Sequence, residues 1–577
     1  MEPRVAPGDQ PVADPTGRYH IVCNGRIFNA PDIAADLRRS GSGLGTGSIL
    51  EVMLAAYQRW GVDAFGRFNG AFACAIWDAE AQSLVLARDQ LGIKPLFYAV
   101  SSRLLIFASE VKGVLADPRC SKRVDETGIA EYLVCNRLLL DSETTFYEGV
   151  KRLRPAHVLT VGAANVNGRR YWQIDPARQD VYADDEACVE AVRDLLVDAV
   201  RIRMPESARV AAALSGGFDS SSIVCVVDHL NRKERSGTMR LDTFSFTFDD
   251  DEADERELVD VVAAQTGASH HHLHVLRPEL FDDVDELIRR NDGPTLENGI
   301  LLLWNKKRAV RQCGLDVLLS GLGGDELFMG DLTYFADLFR RGHWRSLSRE
   351  LRAFYPWNQS TGKRTSLGDL VRSYTIAPLI PRWISALRGS HLGRPFPPKW
   401  MARDLIARTG VGRHIPRRPP PHFSDLYAQY AYDVFHHEIV SANIPYHDVT
   451  SATFAVDTRF PLMDVRLVEA LFAVPRTWKI HAGAVRILQK RAMAFVLPKE
   501  VLTDHLKKDF HPTLNRFQRQ VYRERLRGFF TGTGQRSGQY LDWDQIRASY
   551  RAFVDDGVGN PYPLWLAMNL ERWLGTV

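Results

Sequence analysis

The short apolar run Val210-Ala211-Ala212-Ala213-Leu214 passes directly into Ser215-Gly216-Gly217-Phe218-Asp219-Ser220-Ser221, and helical spacing begins at once. This feature constrains the chain most. A buried strand that ends in two glycines and opens a helix lets the backbone fold close to an anion, with the free N–H groups of the helix start aimed at it. Ser215, Ser220 and Ser221 add hydroxyl donors. Asp219 cannot serve the phosphates directly, because like charges repel, but it suits Mg²⁺, which prefers carboxylate plus phosphate oxygens. The bland alternative is a glycine turn with a serine cap; the whole S-G-G-x-D-S-S string behind a strand favours function. No GxxxxGK[ST] string occurs, which excludes a Walker-type loop.

A second strand end repeats the pattern. Val317-Leu318-Leu319 leads into Ser320-Gly321-Leu322-Gly323-Gly324-Asp325-Glu326. If both strands belong to one parallel sheet, Asp219 and Asp325 face one crevice and share one Mg²⁺. Asp325 and Glu326 also suit the first turn of the following helix, where carboxylates meet the positive end of its dipole.

Around these strand ends the chain reads as two regions. Residues 1–17, rich in Pro, Gly, Asp and Ala, suggest a loose arm. Residues 18–180 show short apolar strands broken by turns, with Ala71–Trp77, Ser83–Ala87 and Leu104–Ala108 as buried strands and Ile49–Trp60 as a helix. This predicts an α+β sandwich. From 185 to 577 strands alternate with helices. Glu186–Arg203 is an amphipathic helix. Strands fall at Arg209–Leu214, Leu241–Phe248 and Asp316–Leu319, and helices at Ser220–His229 and Glu255–Thr266. Such alternation predicts a parallel α/β sheet with ligands at the carboxyl ends of its strands. Residues 340–440 form a helical insertion, in which Arg417-Arg418-Pro419-Pro420-Pro421 reads as an exposed loop.

Bulk properties remove several classes. The 577-residue chain carries a net charge of +3, which gives no argument for nucleic acid or a membrane surface. Its seven cysteines are scattered and form no CxxC, which points to reduced thiols in a cytoplasmic protein and not to a zinc site or disulfide frame. No apolar run approaches the roughly 18 residues of a membrane span.

Six motifs in order make the region from 19 to 515 resemble the asparagine synthetase family. They are Asn24-Gly25-Arg26-Ile27-Phe28-Asn29, Arg88-Asp89 with Gly92-Ile93-Lys94-Pro95-Leu96-Phe97-Tyr98, Phe107-Ala108-Ser109-Glu110-Val111-Lys112, Ser215 to Ser221, Ser320 to Glu326, and Asp457-Thr458-Arg459-Phe460-Pro461-Leu462-Met463-Asp464. The resemblance implies an N-terminal, Ntn-type αββα amidotransferase-like sandwich and a C-terminal PP-loop domain of the adenine nucleotide α-hydrolase type that adenylates a carboxylate. It places Leu214, Phe246, Ser320 and Gly321 around ATP, and Ser215, Gly216, Gly217, Asp219 and Ser220 around pyrophosphate.

The departures from that family are specific. Glutamine-using members carry a nucleophilic cysteine after Met1; Glu2 stands there in this chain, and a carboxylate cannot replace the thiolate. Cys23 is internal and reads as a buried strand thiol. Arg26 and Ile49 replace the family's glutamate beside the Asn-Gly pair and its glutamine-gripping aspartate, and the Arg-His-Arg-Gly-Pro-Asp segment is absent. The retained amidotransferase residues then read as fold support. In the second half, Leu322 replaces the glutamate that handles ammonia. The later Lys-x-x-Leu-Arg becomes Arg486-Ile487-Leu488-Gln489-Lys490. Arg486 thus takes the place of a lysine that stabilises charge in the reaction, with a planar fork in place of an ammonium. Lys490 and Lys507 are further catalytic candidates, and a solvated cationic face is the alternative for all three.

Relatives without the glutaminase nucleophile use an amine in the substrate itself, as β-lactam synthetases and lasso-peptide macrolactam synthetases do. The Ser-Gly-Leu-Gly-Gly-Asp-Glu string and the chain length look more like the lasso cyclases. The resemblance therefore implies ring closure of a precursor core peptide with ATP and Mg²⁺, alongside a leader peptidase or leader-binding protein. Aromatics at Tyr355, Trp357, Phe423, Tyr427, Tyr430 and Tyr432 are candidates for a peptide-holding wall, with a helical core as the alternative. An ammonia-dependent asparagine synthetase, a non-catalytic scaffold and a tRNA-modifying PP-loop enzyme are the competing readings.

Overall fold

A computed structural model describes residues 10–577 except 42, 46, 102–103, 135–142, 164, 181, 235–236, 249–253, 275–277, 297, 361–365, 381–389, 392–393, 396, 412–420, 482–483 and 504–510. Lys507 and all but Pro421 of the Arg417–Pro421 segment lie outside the described residues.

The N-terminal region is layered α–β–β–α. Its larger sheet runs β1 (Val12–Ala13), β2 (Tyr19–Ile27), β3 (Gly70–Asp78), β4 (Ser83–Arg88), β8 (His157–Val161) and β9 (Val166–Arg170), antiparallel throughout. The smaller sheet joins β5 (Phe97–Ser101) to β6 (Leu104–Ala108) and β7 (Lys151–Arg152). The period-2 alternation of β3 and β4 sends Phe72, Cys74, Ile76, Val85 and Ala87 to one face. There they meet the apolar stripes of α1 (Ala30–Arg39) and α2 (Ile49–Trp60). Ala73, Ala75 and Leu86 on the other face meet Leu96, Tyr98 and Leu153 between the sheets. On the far side, α3 (Val111–Leu115) and α4 (Glu126–Val134) cover β5 and β6.

Two sequence expectations need correction here. The segment read as a loose arm is fixed from Gln10 onward, because Val12 and Ala13 pair with Ile21 and His20. The Gln10 amide also donates to the Cys23 carbonyl and accepts from the Cys23 N–H. Leu104–Ala108, read as buried, is half-buried along its whole length, since β6 is the edge of its sheet.

The second region is built on α5 (Asp185–Arg201) and a five-stranded parallel sheet in the order β12 (Ser269–His274), β11 (Arg240–Thr247), β10 (Arg209–Ala213), β13 (Val317–Leu319), β16 (Asp457–Arg459). The crossovers are α6 (Phe218–Glu234), α7 (Arg256–Thr266), and α8 (Val284–Asn291) with α9 (Gly299–Gln312). Strand order reverses between β10 and β13, so the crevice at their carboxyl ends is where ligands enter such sheets. β13 feeds α10 (Gly324–Phe328), followed by α11 (Tyr334–Arg340) and the long α12 (Trp344–Ser360). The helical region beyond includes β14 (Ser390–His391) paired with β15 (Arg394–Pro395). After β16, the hairpin of β17 (Ile480–His481) and β18 (Ala484–Val485) leads into helix Ile487–Met493.

The two regions share their cores. Leu91 and Ile93 of the first pack with Val210, Ile223 and Leu462 of the second. Ile129 and Tyr132 pack with Leu287, Trp565 and Leu570.

Candidate functional site

β10 ends at Ala213, and Leu214, 1% exposed, is held by its N–H to the Phe244 carbonyl and by the Ser245 hydroxyl on its own carbonyl. The chain then turns through Gly216 at φ +82°, where a Cβ would stand 3.1 Å from Leu258 Cβ. Only glycine takes that turn without strain. The serines divide their work. Ser220 Oγ accepts from the Ser215 N–H (3.0 Å) and lies 3.2 Å from the Gly217 carbonyl, to which it donates. It thus braces the loop from within. Ser221 is fully buried and its hydroxyl has no hydrogen-bond partner. Ser215 alone of the three is exposed, and its hydroxyl lies 3.1 Å from Ser220 Oγ, so one of the sequence's three serines faces solvent.

The loop after β13 closes against this one. A Cβ on Gly321 would lie 2.9 Å from the Ser220 nitrogen, and one on Gly324 would lie 2.1 Å from Asp219 Cγ. The glycines of the second motif are therefore the condition for bringing α10 against Asp219. Gly323, at φ +93°, caps that helix in the left-handed conformation. Ser320, largely buried, donates its N–H to the Arg459 carbonyl of the neighbouring strand.

Both carboxylates point at one cation. Arg486 Nη1 lies 3.0 Å from Asp219 Oδ1, and Nη2 pairs with Asp325 Oδ1. Gln489, fully buried one turn along, donates to Asp219 (2.6 Å) and accepts from Arg486 (3.1 Å). Arg486 sits at φ +59°, where the β17–β18 hairpin enters its helix, and the turn aims the guanidinium into the crevice. Lys490, on the same helix, places Nζ 5.2 Å from the Phe218 ring centroid. At the end of β11, the Phe246 ring carries Lys306 Nζ at 4.2 Å, and burial pulls that amine down to about 8. Gln489 and Lys306 were missed from sequence. The Q in place of the family's leucine was the available signal for the first, and nothing in the local pattern marks the second.

The donor set fits a hydrated Mg²⁺ that arrives with a nucleotide. Two carboxylates converge on one positive charge, and the described residues contain no group of three or more acidic, histidine or cysteine side chains that would cage a bare metal.

Leu322 packs against the main core. Among the proposed wall aromatics, Tyr427 and Tyr432 are buried, and Phe423 lies 5.7 Å from both Tyr432 and Phe472. These three belong to the helical core. Tyr430 is 43% exposed, Tyr355 packs at the edge of a small cluster, and the Trp357 side chain lies outside the described residues.

The amidotransferase motifs are structural in this chain. Asp89, fully buried, accepts from the N–H groups of Phe72, Leu91, Ile93 and Lys94. Arg88 donates to the carbonyls of Gly92, Lys94 and Leu153, each at 2.7 Å. A Cβ on Gly25 would lie 2.0 Å from the Ala71 carbonyl oxygen. Cys23 stands mid-strand opposite Cys74, partly exposed as a residue, with its thiol pushed up to about 12 by burial. Arg26 reaches across to Asp457 (3.8 Å), and Lys94 to Asp448 (3.1 Å). The Asp464 carboxylate that ends the last motif is fully buried. It accepts from Asn69 (2.8 Å), Arg203 (2.7 Å) and Arg466 (3.0 Å), and so ties the two regions together.

The family model described as asparagine synthase matches residues 191–575. The chain belongs to the asparagine synthase family. A glutamine amidotransferase domain model matches residues 4–172, which agrees with the layered N-terminal region. An asparagine synthetase [glutamine-hydrolyzing] 3 of Bacillus subtilis is 28% identical over 84% of this chain and 74% of its own. The amidase chry2 of Gibberella zeae is 32% identical over 57% of this chain and half of its own length. A putative asparagine synthetase [glutamine-hydrolyzing] 2 of Methanocaldococcus jannaschii is 30% identical over 58% of this chain and 62% of its own. Membership makes the protein an ATP-dependent, amide-forming ligase of the asparagine synthetase type. No helix of the described residues is long and apolar enough to cross a membrane.

Proposed function

We propose that this chain adenylates a side-chain carboxylate of a peptide and closes it onto the N-terminal amine of the same peptide, as the lasso-peptide macrolactam synthetases do. The observation that carries the reading is the convergence of Asp219 and Asp325 on Arg486 beside the Ser215–Ser220 loop. In this scheme the carboxylate oxygen attacks the α-phosphorus of ATP and the bond to the β-phosphate oxygen breaks. Pyrophosphate leaves towards the loop N–H groups and Ser215. The amine then attacks the acyl carbon, loses its proton and expels AMP. Asp219 and Asp325 would hold the Mg²⁺ that travels with ATP, which neutralises charge on the leaving oxygens. Arg486, which would give up its place between the two carboxylates to the metal, supplies a second positive charge beside it for the charge that develops on the leaving oxygens. Lys490 and Lys507 are the further basic groups of the scheme. The loop and its sheet would be a PP-loop domain, and the layered region an Ntn-type sandwich without its nucleophile. The scattered cysteines, with no CxxC in the sequence and no disulfide among the described residues, support a cytoplasmic location.

A peptide amine is favoured over ammonia for three reasons. Burial holds the Cys23 thiol protonated, so that thiol supplies no thiolate nucleophile for glutamine hydrolysis. Leu322 offers no carboxylate to receive ammonia. An amine on the same chain is also delivered at high effective concentration. The test supplies ATP, Mg²⁺ and leader-cleaved core peptides encoded beside this gene. AMP and pyrophosphate should form in equal amounts, and the product should lose one water and its free N-terminus. Stoichiometric ADP would refute adenylation. Asparagine formed from aspartate and ammonia, with no peptide cyclised, would establish the ammonia-dependent synthetase instead.

A further inference from the structure

α12 carries an outward stripe of arginines. Arg345, Arg349 and Arg352 lie at i, i+4 and i+7 and are all exposed, with Arg341 exposed just before the helix. Like charges at this spacing repel and weaken a helix, so the stripe persists against a local cost. The one acid of α12, Glu350, does not relieve it. Glu350 is 2% exposed and turned inward to His481 Nδ1 (3.2 Å), touching Arg349 only at 3.7 Å. Among the described residues Arg345 and Arg352 make no ion pair. Trp344, 56% exposed, stands at the head of the stripe. With Arg345, Ser348, Arg349, Arg352 and Ala353 it lines a shallow trough of about 640 Å³.

We propose that this trough is a docking surface for an acidic, aromatic-containing segment of the peptide substrate, outside the part that reacts. This rests on the peptide reading above. Charge complementarity names the occupant: guanidinium forks match carboxylates bidentately, and the exposed Trp344 ring at the head of the stripe offers an apolar face for one ring. A peptide fits better than a nucleic acid, because the positive charge is one helix face long on a chain of net charge +3. The surface also connects to the site. Glu350 on the inner face of α12 holds His481, and His481 belongs to the hairpin that ends at Arg486. A segment seated on the arginines is therefore anchored to the element that presents Arg486.

The test measures fluorescence anisotropy of a fluorescein-labelled peptide of glutamates around a central phenylalanine, with a glutamine-for-glutamate counterpart as control. The full-length protein is used without ATP, so ring closure plays no part in the readout. The glutamate peptide should bind about tenfold tighter than its counterpart, the scale of three exposed ion pairs, and should weaken steeply with salt. The triple variant R345E/R349E/R352E should lose that margin and its salt dependence while keeping its melting temperature. If the triple variant does not fold, R352Q alone should still lower affinity and flatten the salt slope. Equal binding of both peptides, an unchanged R352Q, or an oligothymidylate that outcompetes the glutamate peptide would each overturn the proposal. If the glutamate peptide binds as expected and no peptide cyclises, the docking surface stands and the ring-closure reading falls.

Discussion

Replacing Arg486 by alanine should make the ATP-free protein bind a divalent cation more tightly while making it a worse enzyme. In the structure one guanidinium occupies the space between Asp219 and Asp325, at 3.0 Å from the first carboxylate. A metal that uses both carboxylates must displace it. Near a protein surface, unit charges 4 Å apart interact by about 4 kcal/mol. The side chains are 10%, 15% and 26% exposed for Arg486, Asp219 and Asp325. Solvent reaching them and the new contacts of a displaced arginine cut this to about half. About 2 kcal/mol remains, or roughly thirtyfold in a dissociation constant. Isothermal titration of Mn²⁺ into the ATP-free protein should therefore show about thirtyfold tighter binding for Arg486→Ala. Turnover with ATP should fall by about 10²–10³-fold, the scale of removing one preorganised charge from a transition state. Arg486→Lys should fall between, because one ammonium cannot span both acids. Unchanged cation affinity in Arg486→Ala would show that the guanidinium and the metal do not compete, and the shared-site reasoning would fail.

Other substitutions separate fold from chemistry. Gly324→Ala should keep the melting temperature within a few degrees yet lose most AMP formation, because its Cβ displaces the Asp219 carboxylate and little backbone; retention of full activity would contradict the required close approach. Asp464→Ala should destabilise the protein by about 3–5 kcal/mol in urea denaturation, since it leaves Arg203 buried without its partner. Burial alone would raise the Asp464 pKa, but Arg203 and Arg466 bring it well below the usual carboxylate range. Its contribution is thus complete above the ordinary carboxylate pKa of about 4 and is lost as pH falls below that; Asp464→Asn should show a shallower acid loss of stability than the parent. Glutamine should yield no glutamate, and Cys23→Ala should change nothing in that assay; a glutamate signal abolished by this variant would identify Cys23 as a nucleophile.

Much of the site was legible in the sequence because strand ends of a parallel sheet must converge. An apolar run, a glycine turn and an acid at two places predict a shared crevice, and Asp219 and Asp325 do meet the same guanidinium. What the sequence could not show is which donors the loop spends on itself. Ser220 braces the turn and Ser221 is buried, and that division depends on how α6 starts, which S-G-G-x-D-S-S does not encode. The aromatics of the helical region illustrate the same limit. Tyr427 and Tyr430 are three residues apart on one helix, yet Tyr427 is buried, with Arg476 and Lys479 5.5 and 6.0 Å from its ring centroid, and Tyr430 is 43% exposed. The segment after Gln10 read as loose because its composition is turn-rich, whereas two backbone pairs and one glutamine side chain fix it.

The amidotransferase-like region is held to the second region by contacts that do not depend on glutamine chemistry. Asn69 and Arg203 meet on Asp464, and Arg203 lends its carbonyl to Arg459 Nη1 (2.8 Å). Arg459 in turn receives the Ser320 N–H at the head of the second glycine loop. The support of the Asp325 loop therefore runs without a break into the N-terminal region, and Lys94 and Arg26 add two further ties through Asp448 and Asp457. Removing that region would expose the apolar surface of Val210, Ile223, Leu462, Leu287, Trp565 and Leu570 that Leu91, Ile93, Ile129 and Tyr132 help to cover, and would leave Asp464 without Asn69. A region joined this way supports the fold of the second whether or not it hydrolyses glutamine. Burial raises the strand thiols of Cys23 and Cys74 alike, and Arg88 and Asp89 serve as clasps of its motifs.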